Sequence, residues 1–156
     1  MEKYSIREVI EQAVQTEKLG YQFYTSTAER FEKDEGLKKL FSFLATKELR
    51  HEKTFRELLE IIKDPEPVNW EEAEPYLRAI VESEFFLGKN KSLPSMQRLR
   101  SVEDAVNFAL GFEKETLLYF YWLRDAVKEK EVVDEIINEE RSHIMWLNRF
   151  RESFKK

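Results

Sequence analysis

The chain has 156 residues, of which 42% are hydrophobic and 37% charged, with only four glycines and four prolines. This length suits one domain with a sizeable core, and the scarcity of turn residues favours an all-α protein. A net charge of −5 without a basic, aromatic-rich cluster argues against a nucleic-acid partner, and the absence of cysteine excludes disulfides, thiolate metal sites and thiol redox chemistry.

The start of the chain has no apolar signal core, and no apolar run reaches the roughly 18 residues that a membrane span needs. We therefore expect a cytoplasmic protein with no membrane partner.

Two amphipathic helices are predicted in the first part of the chain, since apolar residues recur at alternating steps of three and four. Ser5 and Glu8 form a capping-box pattern, and the stripe that follows predicts a helix over 5–32. After a turn that ends at Gly36, a second stripe predicts a helix over 36–63. The short link makes this pair an antiparallel hairpin.

The middle segment, residues 64–100, breaks the helical pattern, because all four prolines of the chain and Gly88 lie there. We predict a long crossover that carries one short helix between Trp70 and Leu87. The pattern then resumes.

Ser101 is suited to cap a helix over 101–128, and a further helix is predicted over 131–154. The sequence thus predicts a single domain, 1–156, built as a four-helix bundle of two antiparallel hairpins joined by the crossover.

Each of the four apolar stripes is interrupted by ionisable residues. They are Glu17 in the first helix, Glu48 and His51 in the second, Glu113 in the third, and Glu140 and His143 in the fourth. A carboxylate buried alone is strongly unfavourable, and four carboxylates with neutral imidazoles are balanced by two divalent cations. A glutamate and a histidine three residues apart share one helix face, so both can reach one metal. This pattern predicts a two-metal site.

Two alternatives to a metal site stay open from the residues alone. The same groups could form a buried network of hydrogen bonds and ion pairs that fixes the helix register. The register could also be shifted, so that Glu139 replaces Glu140, or Glu115 replaces Glu113, and some of these side chains reach solvent.

The six interrupting residues resemble the di-iron ligands of the ferritin-like superfamily, especially rubrerythrins and bacterioferritins, over nearly the whole chain. The segments Tyr76-Leu-Arg-Ala-Ile and Glu84-Phe-Phe are most similar to rubrerythrin-related proteins that consist of the di-iron domain alone. The resemblance implies a ferritin-like fold, two iron ions, and reduction of hydrogen peroxide or dioxygen by a peroxidase or ferroxidase. Manganese and zinc also suit these ligands. Iron storage or delivery, and a metal-free interaction bundle, are the alternatives.

The sequence departs from these families at three points. Thr116 stands where peroxidase rubrerythrins place a further glutamate as the seventh ligand, which puts redox-linked iron movement in doubt. The absence of cysteine excludes a built-in rubredoxin centre, so electrons have to come from an external donor such as a rubredoxin. Leu49 replaces the haem-binding methionine of bacterioferritin, so haem is not expected.

Several aromatic residues carry further expectations. The resemblance places Tyr24 and Tyr121 near the metals, where they could donate hydrogen bonds or electrons, although amphipathic packing explains them equally well. Further aromatic residues lie on a neighbouring face of the third predicted helix, and the fourth helix adds one more: Phe108, Phe112, Tyr119 and Trp122, with Trp146. Cover by the crossover helix or a homodimer interface would account for this surface, and we favour the homodimer.

Overall fold

The computed structural model describes residues 6–62, 75, 77, 79–80 and 96–155. Within these residues the chain is α-helical and contains no strand. The long helices are α1 (Ile6–Arg30), α2 (Glu35–Ile61), α3 (Val102–Ala126) and α4 (Lys130–Glu152), with short 3₁₀ segments at Met96–Arg98 and Ser153–Lys155. The all-α prediction is confirmed, and each long helix ends within two residues of its predicted bounds.

Most of the predicted crossover, 64–100, and of its short helix lies outside the described residues. Pro75, Leu77, Ala79 and Ile80 are helical, which agrees with the predicted helix where the two can be compared. Leu77 and Ile80 are buried and join the apolar core. This part of the crossover therefore covers one end of the bundle.

Two side-chain caps fix where α2 and α3 begin. The Asp34 carboxylate accepts a hydrogen bond from the backbone N–H of Leu37 at 2.9 Å, and the Ser101 hydroxyl accepts one from the N–H of Asp104 at 3.1 Å. Each cap satisfies a donor that the first helical turn leaves free. The predicted cap at Ser101 is thus confirmed.

The helices pair as two hairpins. The most extensive contacts join α1 to α2 and α3 to α4, which is the predicted arrangement. Among the described residues, no helix combines the length and the apolar character that would let it cross a membrane.

The core consists of two apolar layers with a polar layer between them. The first apolar layer includes Val9, Ile10, Phe55, Phe120 and Val133. The second includes Phe23, Phe41, Val106, Phe112 and Leu147. Along each helix, the residues between its contributions to these two layers are the ones that interrupt the stripe. The polar layer is therefore enclosed by hydrocarbon at both ends.

Candidate metal centre

The polar layer holds all six ionisable residues singled out from the sequence. None of their side chains is more than marginally exposed: Glu17, Glu48, Glu113, Glu140 and His143 are 0% exposed, and His51 is 1% exposed. On α2 and on α4, a glutamate and a histidine one turn apart share one face, while α1 and α3 supply one glutamate each. The four helices thus direct six ligand-type side chains into one buried space.

These side chains fall into two groups of four, within each of which one ligand atom per residue lies within 4.8 Å of the others. The His51 group consists of Glu17, Glu48, His51 and Glu140, and the His143 group consists of Glu48, Glu113, Glu140 and His143. Because Glu48 and Glu140 belong to both groups, each can offer one oxygen to either side. The arrangement suits two adjacent cations with bridging carboxylates.

Both imidazoles direct Nδ1 toward the shared carboxylates. His51 Nδ1 lies 2.9 Å from Glu140 Oε1 and 3.6 Å from Glu17 Oε2. His143 Nδ1 lies 3.3 Å from Glu140 Oε2 and 3.5 Å from an oxygen of Glu48 and of Glu113. The rings are nearly parallel, with centroids 5.7 Å apart and planes inclined by 16°. The ligand set is therefore nearly symmetric about the centre of the bundle.

The comparisons with known proteins agree with this geometry. The family model described as Rubrerythrin matches residues 8–99, which is more than half of the chain. The chain belongs to the rubrerythrin family.

One solved structure resembles this rubrerythrin-family chain over almost its whole length. It is the crystal structure of a protein from Thermotoga maritima described as ferritin-like and diiron-carboxylate, with a TM-score of 0.70 and 21% sequence identity over 97% of each chain. This likeness confirms the ferritin-like fold. The comparison with curated proteins gives no match.

Many polar atoms of this glutamate and histidine cluster lack a hydrogen-bond partner, which fits a bound cation. Among the described residues, both carboxylate oxygens of Glu17 and of Glu48 are buried without a hydrogen-bond partner, as are Glu113 Oε2, Glu140 Oε2 and both ring nitrogens of His143. Buried polar atoms are almost always paired, so this many orphaned acceptors in one place point to a positive ligand. A purely hydrogen-bonded network would leave fewer of them unsatisfied.

Burial and mutual charge shift the acidities in this cluster in opposite directions. Burial, reinforced by the nearby charges of Glu140 and Glu48, raises the pKa of Glu113 well above its ordinary value, and burial also raises the pKa of Glu48. Burial acts the same way on Glu140, but the charge of His143 and several hydrogen bonds outweigh it and hold the pKa of Glu140 well below its ordinary value. Glu140 is therefore more acidic than Glu48 and Glu113.

The histidines show the complementary effect. Burial alone would lower the pKa of His51, but hydrogen bonds to Glu139 and Glu140 raise it to about 9. Burial also opposes the charge on His143, and Glu140 and Glu113 more than compensate, so its pKa lies well above the ordinary value. Cations that bind at Nδ1 would have to displace these protons.

The two predicted tyrosines lie in different environments. Tyr24 is buried, and its hydroxyl donates a hydrogen bond to Glu113 Oε1 at 2.5 Å. Burial and the charge of Glu113 raise the pKa of Tyr24 well above its ordinary value. Tyr121 is 42% exposed, unlike the buried residues of the polar layer, and its expected place near the metals stays a prediction.

The register alternatives are also resolved by burial. Glu113 and Glu140 face inward, whereas Glu115 is only half-buried and the Glu139 side chain is 39% exposed. Thr116, at the position that resembles the site of a seventh ligand, a glutamate, in peroxidase rubrerythrins, is buried with a hydroxyl that has no hydrogen-bond partner among the described residues. Position 116 therefore adds no carboxylate to the polar layer beyond that of Glu113.

Three features of the site were not foreseen from the sequence. Glu139 lies 2.5 Å from His51 Nε2, and the indole of Trp146 stacks on His143 with ring centroids 5.8 Å apart. A Cβ placed on Gly20 would lie 2.9 Å from the Phe112 ring and 3.1 Å from Glu48 Oε2, so glycine is required for this close approach of α1. In the sequence, Gly20 is a weak helix former at an inward position, and Glu139 was considered only as a register alternative to Glu140.

Proposed function

We propose that this chain binds two iron ions and acts as an oxidoreductase that reduces hydrogen peroxide or dioxygen, as a peroxidase or a ferroxidase. The observation that carries the proposal is that Glu48 and Glu140 belong to both ligand groups. When bound, two ferrous ions supply two electrons, which with two protons reduce hydrogen peroxide to two molecules of water, or dioxygen to hydrogen peroxide.

The donor set supports iron through its chemistry. Four carboxylates and two imidazoles are ligands that suit Fe(II), and the chain has no cysteine that would favour a softer metal. Two dications would offset the charge of four ionised carboxylates. Manganese and zinc share these preferences, so the identity of the metal has to be measured.

The residues around the polar layer exclude water from it and orient one of its carboxylates. The two apolar layers exclude water from the polar layer, which strengthens electrostatic interactions inside it. The raised pKa of Tyr24 keeps its hydroxyl protonated, so that it can go on donating to Glu113 Oε1 and hold that carboxylate in one orientation.

Turnover requires a reductant from outside the chain. Because the sequence contains no cysteine, it cannot build the thiolate-bound iron centre that would store the next electrons. We propose a separate small electron-transfer protein such as a rubredoxin as the donor, and a homodimer as the assembled form. Size-exclusion chromatography distinguishes a dimer from the large cage that iron storage needs.

Stopped-flow mixing of the Fe(II)-loaded protein with hydrogen peroxide, and separately with dioxygen, tests the proposal. We expect fast oxidation in the natural protein, and oxidation at the rate of free Fe(II) in the double variant Glu140→Ala, His143→Ala. Glu135→Ala is the matched control, since Glu135 is an exposed glutamate on the same helix. Equal rates in the natural protein and the double variant would refute the proposed activity.

A further inference from the structure

The two ligand groups, although similar inside the polar layer, differ in what contacts their histidines from outside. The Glu-x-x-His motif occurs once on α2 and once on α4, so equivalent positions can be compared. The residue just before the motif is Glu139 on α4 and Lys47 on α2. One half of the site therefore has an additional carboxylate where the other half has an ammonium group.

His51 is held at both ring nitrogens. Its Nδ1 lies 2.9 Å from Glu140 Oε1 inside the polar layer, and its Nε2 lies 2.5 Å from Glu139 Oε2 on the outer side. Glu139 reaches this position from the helix surface, where its side chain is 39% exposed. Donation from Nε2–H to Glu139 keeps the tautomer in which the Nδ1 lone pair is available to a metal.

His143 has no comparable support. Its Nε2 has no hydrogen-bond partner among the described residues, and the ring is covered instead by the Trp146 indole at 5.8 Å and 30°. Stacking restricts the orientation of the His143 ring, but the indole does not accept a hydrogen bond from Nε2–H as a carboxylate would. Lys47 cannot take the part of Glu139, because an ammonium group has no acceptor, and its Nζ lies over the Phe43 ring at 5.4 Å.

We propose that Glu139 is a positioning residue that makes the His51 group the tighter metal position, so that two metal ions bind in sequence, first at the His51 group and then at the His143 group. The inference rests on the proposed function only in requiring that the polar layer binds metal. A carboxylate that orients a ligating histidine typically changes metal affinity by about 10–100-fold. Because the groups share Glu48 and Glu140, the first cation also weakens binding of the second, which sharpens the order.

The chain offers a direct way to observe the order of filling, because it contains only two histidines. Protein labelled with ¹⁵N at histidine gives one set of imidazole resonances for each, and the variant His51→Ala assigns them. We expect titration of the chelator-treated protein with Zn(II) alone to convert the His51 resonances during the first equivalent and the His143 resonances during the second.

Variants of Glu139 test the cause of this order. Glu139→Ala should weaken the first binding step by about 10–100-fold and make the two histidines respond together. The affinity of the first binding step in Glu139→Gln should lie between those of the natural protein and Glu139→Ala. The amide oxygen of glutamine still accepts a hydrogen bond from Nε2–H, but it carries no charge. The exposed Glu135→Gln on the same helix is the control and should leave both steps unchanged. Alanine favours helix, so Glu139→Ala should fold.

A double variant separates positioning from a general structural role. If Glu139 acts through His51, Glu139→Ala should have no further effect on metal affinity once His51→Ala is present. Simultaneous response of the two histidines in the natural protein, a first response at His143, or an unchanged order in Glu139→Ala would overturn this inference and leave the two-metal proposal standing. If neither histidine responds to Zn(II), both fail.

Discussion

The apolar layers and the polar layer of this bundle occupy the same four helices but contribute oppositely to stability. In the apolar layers, side chains such as Phe55 and Phe120 are fully buried and pack against each other at a ring distance of 5.1 Å. In the polar layer, equally buried side chains leave carboxylate oxygens without partners. The apolar layers stabilise the fold, whereas the unpaired carboxylates of the polar layer destabilise it. Such a departure from an apolar core is typical of a functional site.

Truncation of a buried side chain in an apolar layer should cause the largest change in the free energy of unfolding. Phe120→Ala removes a fully buried ring from the first apolar layer and should lower the free energy of unfolding by about 3–5 kcal/mol. Urea denaturation of the chelator-treated protein measures it. Leu118→Ala, on the same helix but 40% exposed, is the control and should change little. Equal losses in the two variants would contradict the assigned core.

Replacement of a carboxylate in the polar layer by an apolar side chain should increase the free energy of unfolding. Glu48→Met keeps a similar volume and removes a buried carboxylate that has no hydrogen-bond partner among the described residues, so the chelator-treated variant should be about 1–2 kcal/mol more stable than the natural protein.

Metal should reverse this ranking. At about 100 times Kd, a bound ion stabilises the natural protein by about 2.7 kcal/mol, whereas Glu48→Met, which removes a ligand of both groups, should gain almost nothing. Thermal denaturation with and without Fe(II) or Mn(II) under anaerobic conditions measures both effects. A natural protein that gains no stability from either metal would show that the polar layer is not a metal site.

The Tm of the chelator-treated protein should also depend on pH, and this effect should be smaller. The pKa of His51 is raised from 6.5 to about 9, so folding favours its charged form. The stability that it contributes is fully present below pH 6.5 and is lost as the pH rises through about 9. We expect the Tm of the chelator-treated protein to fall over this interval, and to fall less in Glu139→Ala, which removes one of the hydrogen bonds that raise this pKa. A Tm that increases from pH 6.5 to 9 would contradict the description of the cluster.

Much of this architecture could be predicted from the sequence, because helix periodicity and its interruptions are both local signals. The four helices follow from the stripes, and the six interrupting residues all lie in the polar layer. Tyr24 follows Glu17 by seven residues, almost two full turns, and so returns to the same face. Tyr121 follows Glu113 by eight, which rotates it about 80° away, and it is exposed.

Contacts between helices could not be predicted in the same way. The bond between Glu139 and His51 depends on how far one side chain reaches across the space between α2 and α4, and the stacking of Trp146 on His143 depends on rotamers. Periodicity assigns Glu139 to the helix surface, which is correct, but it does not show that the carboxylate extends back to an imidazole. The asymmetry of the site therefore emerges only from the structure.

The most direct measurement of the central claim is a crystal structure of the Fe(II)-loaded protein with anomalous data collected above and below the iron absorption edge. We expect two iron peaks in the polar layer, one in contact with His51 Nδ1 and one with His143 Nδ1, and both in contact with Glu48 and Glu140. An iron-soaked crystal with no peak in this layer, or with peaks only at surface carboxylates, would contradict the account.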